Sequence, residues 1–132
     1  MAANCVSVYL LGGMVERRIG SRRMLTLYLL GGVAGCLAQV TYAVASGDAP
    51  MRPVCGASGA ALALAGALVA LKPYRNFRAF GLQLDTRAAV AAYVAAQTLY
   101  LFLRPPDAQA VAYAAHAGGG LAGFMLALLL RT

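Results

Sequence analysis

The sequence predicts an all-α fold, a polytopic bundle of membrane-spanning helices. Three observations carry that expectation. Of the 132 residues, 61% are hydrophobic and only 11% are charged, the mean hydropathy is +0.71, and the apolar residues fall into five runs separated by short charged or Pro-containing gaps. A water-soluble domain is nearer half apolar with about a quarter of its residues charged. Disordered, collagenous, coiled-coil and ordinary soluble enzyme classes are therefore disfavoured together.

The five runs are Met1 to Val15, Met24 to Ala45, Gly56 to Leu71, Ala88 to Leu103 and Ala108 to Leu130. The second and fifth reach the roughly 20 residues a helix needs to cross a hydrocarbon core, and the others fall short by about four or five. The first has no basic leader and runs straight into Glu16, Arg17 and Arg18, so it reads as mature structure and not as a signal peptide. Gly20 and Ser21 supply a turn and an N-cap for the second run. Pro50 and Pro53 break the chain before the third, and Arg104, Pro105, Pro106 and Asp107 make a tight turn before the fifth. No repeat divides the chain, so residues 1–132 are expected to form a single membrane domain.

The gaps carry the direction of insertion. The net charge of +7 comes from 11 Lys and Arg against 4 Asp and Glu. Arg17, Arg18, Arg22, Arg23, Lys72, Arg75, Arg78, Arg87 and Arg131 fall on one side of a five-span topology, and only Arg52 and Arg104 fall on the other. By the positive-inside rule the loops around Arg17 and Lys72 are cytoplasmic, and the first, third and fifth spans run from outside to inside. The basic residues form no amphipathic stripe, so their partner is an anionic bilayer surface and not nucleic acid. Cys5, Cys36 and Cys55 have no metal-type spacing and read as small apolar residues. No metal or cofactor is expected.

Polar side chains within such spans are costly, which directs attention to Asn4, Ser7, Gln39, Ser58, Gln97, Thr98 and His116. Three of them share a depth. Asn4 lies 13 positions before Arg17, Ser58 lies 14 before Lys72, and His116 lies 15 before Arg131. At the helical rise all three sit roughly 20 to 22 Å above the inner boundary. A serine, an imidazole and a carboxamide at one level constitute a hydrolase kit: the imidazole takes the hydroxyl proton and later protonates the leaving amine, while amide donors hold the oxyanion. With no third group to orient the ring, the expectation is a Ser58–His116 dyad, with Asn4 and the Ser58 backbone N–H as oxyanion donors.

The flanking glycines agree. Gly56, Ala57, Ser58 and Gly59 place Ser58 in the first turn of the third span, where unpaired N–H groups and the positive helix end favour an oxyanion. Gly119, Gly120 and Gly123 clear a strip on the histidine's own face of the fifth span, and Gly59, Ala63 and Ala67 form a small-residue ridge to meet it. Gly59, Gly119 and Gly123 are thus expected helix-packing positions. Taken singly, Ser58, His116 and Asn4 read as a packing serine, a satisfied interior histidine and interhelical glue. Their common depth, span direction and flanking glycines favour a catalytic grouping. Glu16 reads as a structural residue bonding loop backbone or Ser21, Gln39 and Gln97 as helix contacts, and the seven tyrosines mostly as interfacial anchors.

Asn4 with Gly12, Gly13, Val15, Glu16 and Gly20–Ser21, then Gly56-Ala57-Ser58-Gly59, then His116 with Gly119 and Gly123, together resemble the rhomboid family of intramembrane serine proteases over nearly the whole chain. The resemblance implies a six-helix core, of which five helices are present here, and an intramembrane serine endopeptidase that cuts transmembrane substrates near their outer end without metal or cofactor. Rhomboids similar to this one carry a histidine four positions before the asparagine, which would precede Met1, so an N-terminally truncated chain lacking the first transmembrane helix is expected. Leu62 stands where some relatives carry an aromatic residue packed on the histidine. The expected location is multi-pass in a bacterial inner membrane. The alternative is a catalytically inactive rhomboid-like protein that binds transmembrane helices as a chaperone or adaptor.

Overall fold

The computed structural model describes residues 2–47, 57–71, 76–79, 81–103 and 106–131. Five helical rods appear among them. The first is composite: α1 (Ala2–Ser7), a π-helical turn (Val8–Gly12) and α2 (Gly13–Ile19). The others are α3 (Ser21–Ser46), α4 (Ser58–Ala70), α5 (Thr86–Phe102) and α6 (Pro106–Leu130). The helical bundle agrees with the expected fold class. Pro50, Pro53, Cys55, Gly56, Lys72, Arg75, Arg104 and Pro105 lie outside the described residues.

Two helices are long and apolar enough to cross a bilayer, Ser21–Ser46 and the stretch Tyr113–Leu130 of α6. Pro106 opens α6, the position where a missing N–H costs nothing and the fixed φ suits the first turn. Between α2 and α3 the chain reverses at Gly20, whose φ of 84° only glycine adopts without strain. The cap differs from expectation. Gly20 is the N-cap residue and Ser21 already lies inside the helix; the Ser21 hydroxyl donates to Glu16 Oε1 at 2.5 Å instead of capping its own helix. Glu16 therefore has the structural role read for it. Its backbone carbonyl also receives the Gly20 N–H at 2.8 Å, so a single residue fixes both ends of the turn.

One element was not legible. A two-stranded antiparallel hairpin, β1 (Asn76–Ala79) and β2 (Leu82–Asp85), pairs Phe77 with Leu84 and Arg78 with Gln83, and stands where the sequence reads as a basic loop. Gly81, at φ 78°, lies at its turn.

The core is built around α4. Gly59 to Ala65, Ala67, Leu68 and Ala70 are buried, so this helix is covered on nearly every side. Leu64 and Leu68 of α4, Val15 of α2 and Leu27 of α3 are the largest fully buried side chains. A 13-residue helix is about 20 Å long, shorter than a hydrocarbon core of about 30 Å. That shortness goes with burial of nearly the whole helix in protein, and non-helical backbone exists at membrane depth only where it is enclosed by protein or lines a water-filled cavity. Lipid is as apolar as leucine, so no hydrophobic force drives such helices together. Close van der Waals contact through small residues does it instead.

The small residues that make this contact include more glycines than expected. A side chain on Gly119 would collide with the Gly59 carbonyl, and one on Gly123 with the Ala63 backbone, as the paired strips predict. Gly66 meets the Gly120 carbonyl in the same α4–α6 seam. A second seam joins α3 to the others: Gly31 lies against Ala63, Gly35 against the Ala115 carbonyl, and Gly118 against Ala38. At the basic end the Arg23 guanidinium donates to the Leu130 carbonyl at 3.2 Å, fastening the start of α3 to the end of α6.

Candidate active site

Ser58 is the first residue of α4. The preceding Ala57 leaves the helical region at φ −72°, ψ 5°, and its carbonyl accepts the first intrahelical bond, from the Ala61 N–H at 2.9 Å. Helix geometry therefore leaves the N–H groups of Ser58, Gly59 and Ala60 without carbonyl partners inside α4. The N-cap residue, Ala57, contributes no side-chain cap. The positive end of the helix dipole and several amides thus converge where the serine hydroxyl emerges.

His116 reaches the same point from α6. Its Nε2 lies 2.9 Å from Ser58 Oγ, a hydrogen bond between residues 58 positions apart. Both residues are half-buried, and Nδ1 of the ring is buried. The contact depends on backbone proximity. A Cβ on Gly59 would stand 3.3 Å from the Ala115 carbonyl, immediately before the histidine, and one turn further Gly119 packs on Gly59 itself. Were Gly119 larger, the two axes would separate and the 2.9 Å bond would open.

Asn4 is placed on α1, half-buried, and α1 touches α4. Gly12, in the π-turn, is buried against Leu64 and Met24, and Gly13 beside it faces open space. Leu62 is buried in α4. Gln39 is buried in α3, and its Oε1 has no hydrogen-bond partner among the described residues, so its role as a helix contact does not extend to a satisfied amide. Gln97 lies on α5. Tyr9, Tyr42 and Tyr113 are exposed on the bundle surface, as anchors would be, while Tyr28 packs against the core. Cys5 and Cys36 are free and exposed. Among the described residues no cluster of His, Cys, Asp or Glu could hold a metal ion.

A hydroxyl hydrogen-bonded to an imidazole, at a helix N-terminus inside an apolar bundle, defines a class: a polytopic membrane protein with a paired serine and histidine. The Rhomboid domain family matches residues 1–132, the whole chain. The chain belongs to the rhomboid family. No curated protein and no solved structure matches it.

Proposed function

We propose that the chain is the membrane domain of an intramembrane serine endopeptidase, with Ser58 as nucleophile and His116 as general base. The observation that carries this reading is the 2.9 Å approach of His116 Nε2 to Ser58 Oγ, made between two helices within an otherwise apolar interior. A packing serine needs no imidazole, and an interior histidine is satisfied by a backbone carbonyl. An imidazole spent on a serine at a helix N-terminus is the arrangement nucleophilic catalysis requires.

With the Nδ1 tautomer, Nε2 accepts the Ser58 hydroxyl proton as Oγ attacks the scissile carbonyl carbon. The oxyanion is held by the Ser58 N–H and the Asn4 carboxamide. The tetrahedral species collapses, the C–N bond breaks, and Nε2 returns the proton to the departing amine, leaving an acyl ester on Oγ. Water then attacks the ester, giving its proton to Nε2, and the second collapse regenerates the Ser58 hydroxyl.

The nine basic residues clustered on one side of the topology support a cytoplasmic location for that face and a bacterial inner membrane as the setting. Ser58 opens the α4 end away from Leu71 and the basic loop, so water reaches it from the outer side. The substrates in this reading are transmembrane proteins cut near their outer end. A helical peptide bond is shielded by its own hydrogen bonds and has to unwind locally, and the family resemblance implies sites with Gly or Pro near the cut and a small residue before it. The α5 helix, the rod with the fewest glycines, is the wall that moves for lateral access.

The test is a serine-directed fluorophosphonate probe on the purified full chain. Labelling that disappears in both Ser58→Ala and His116→Ala is expected. Labelling indifferent to both substitutions would exclude the protease and leave a helix-binding chaperone or adaptor.

A further inference from the structure

The first rod carries an irregularity that the proposed chemistry does not by itself explain. Ser7, Leu11, Val15 and Ile19, at 7%, 3%, 0% and 8% exposure, run along its buried face beside Gly12 and Met14, while Tyr9 is 72% exposed. These four positions are spaced by four residues each. In a continuous α-helix a step of four overshoots a full turn by about 40°, so the stripe would spiral away from its partners by about 120° over its length. The π-turn at Val8–Gly12 removes that drift. A π-turn holds one residue more than the α-helical turn it replaces, and everything on its N-terminal side is rotated by about 100° relative to an uninterrupted helix. Ser7 thereby occupies the place an α-helix extended from α2 would give to Val8, and Asn4 the place it would give to Cys5.

We infer that the extra residue in Val8–Gly12 is a positioning device: it aims the Asn4 carboxamide at the Ser58 site. The inference rests on the oxyanion role proposed for Asn4 and deepens it. Two observations besides the turn support it. Asn4 is half-buried on a helix that touches α4, and Cys5, which the α-helical register would turn inward in its place, is exposed. The turn starts four residues after Asn4, in keeping with the tendency of π-turns to sit at functional sites.

A turn that already holds one extra residue does not absorb a second, so a single alanine inserted after Tyr9 rotates everything N-terminal to it by about 100° and puts Cys5 in the place of Asn4. Turnover of a transmembrane substrate by the purified full chain is expected to fall by the same factor as in Asn4→Ala, about 10-fold to 1000-fold. In the chain with the insertion, the pair Asn4→Ala and Cys5→Asn returns a carboxamide to the original direction. It is expected to recover at least about 10-fold of the loss, whereas the same pair in the chain without the insertion recovers nothing. A purely structural role for the turn would not produce that rescue. Insertion without loss of turnover, where Asn4→Ala does lose it, overturns the aiming role alone. Unchanged turnover in Asn4→Ala removes the oxyanion reading and the aiming role with it.

The register itself is checked without an insertion. Nitroxide labels placed singly at positions 5 to 11, with the native cysteines replaced by serine, are expected to show minimal collision with dissolved oxygen at 7 and 11 and maximal collision at 5 and 9. A minimum at 8 in place of 7 would mean an uninterrupted α-helix and would end the proposal.

Discussion

Nε2 of His116 and Oγ of Ser58 are 2.9 Å apart although they belong to different helices and are separated by 58 positions in the chain. The bond is positioned by its surroundings: Gly59 and Gly119, one residue and three residues beyond the pair, let the α4 and α6 backbones approach until only glycine fits at 119 and a Cβ at 59 would be tight. A carbonyl against a glycine Cα on either side of the pair leaves little freedom for the helices to slide. The Ser58–His116 contact and the packing of α4 on α6 are therefore set by the same approach of the two backbones.

If the pair acts as a unit, removing either member removes the whole effect. Ser58→Ala, His116→Ala and the double substitution are each expected to lower kcat by about 10⁴-fold or more, to one common residual rate, because effects within a nucleophile–base unit do not add. Steady-state cleavage of a fluorescent transmembrane substrate measures this. A double variant slower than both singles by the product of their losses would mean that the two residues act separately. Thermal unfolding midpoints are expected to stay close to that of the unaltered chain, since neither substitution enlarges a side chain at the seam.

The seam makes a sharper prediction. Gly123 packs directly on the Ala63 backbone and Gly119 on Gly59, so Gly123→Val or Gly119→Val has to drive α4 and α6 apart. Overpacking of this kind costs about 1–3 kcal/mol or more, and turnover is expected to fall at least as steeply as stability. Gly13→Ala is the control. Nothing lies within 4 Å of a Cβ at that position, and alanine in a helix is favoured over glycine by about 1 kcal/mol. Its unfolding midpoint is expected to hold or rise with turnover intact. Equal turnover in Gly119→Val and Gly13→Ala would separate packing from catalysis.

These positions also show how much the sequence discloses. Counting residues back from the first basic anchor of each inward span placed Ser58 and His116 at one depth, and the structure brings them into contact. That arithmetic works because lipid fixes where charge begins and the helix fixes the rise per residue. The Gly59–Gly119 and Ala63–Gly123 contacts were legible for the same reason, as small residues at a spacing of four. Gly31, Gly35 and Gly118 were not. The α3 helix is apolar all round, so no alternation of polar and apolar residues marks which of its faces meets α6. The π-turn was hidden too, because one additional apolar residue in an apolar run changes direction without changing composition. The hairpin at Asn76–Asp85 carries alternation over only four residues a strand, and a basic loop has the same composition.

Asn4→Ala separates binding from chemistry. A carboxamide that acts only on the oxyanion contributes nothing to the ground-state complex, so kcat is expected to fall about 10-fold to 1000-fold while KM stays nearly constant. A rise in KM with kcat preserved would instead make Asn4 a substrate-binding residue.

The reversal between α2 and α3 offers a stability test remote from the site. Gly20 holds φ 84° and has nothing within 4 Å of a would-be Cβ, so Gly20→Ala meets no clash and isolates backbone strain. With ψ at 160° the residue lies in a positive-φ region essentially reserved for glycine, which costs another residue about 1–3 kcal/mol. Ser21→Ala removes the hydrogen bond to Glu16 from an exposed position, where water replaces the lost partner and the net cost is about 1 kcal/mol or less. Both variants are expected to lower the thermal unfolding midpoint, Gly20→Ala by more, and to leave kcat at 25 °C unchanged. The turn lies at the end of the bundle opposite Ser58, and the Arg23–Leu130 link holds α3 to α6 there independently. A loss of kcat in either variant without a matching loss of stability would show that the α2–α3 reversal communicates with the serine, and that the first rod moves as a single lever about Gly20.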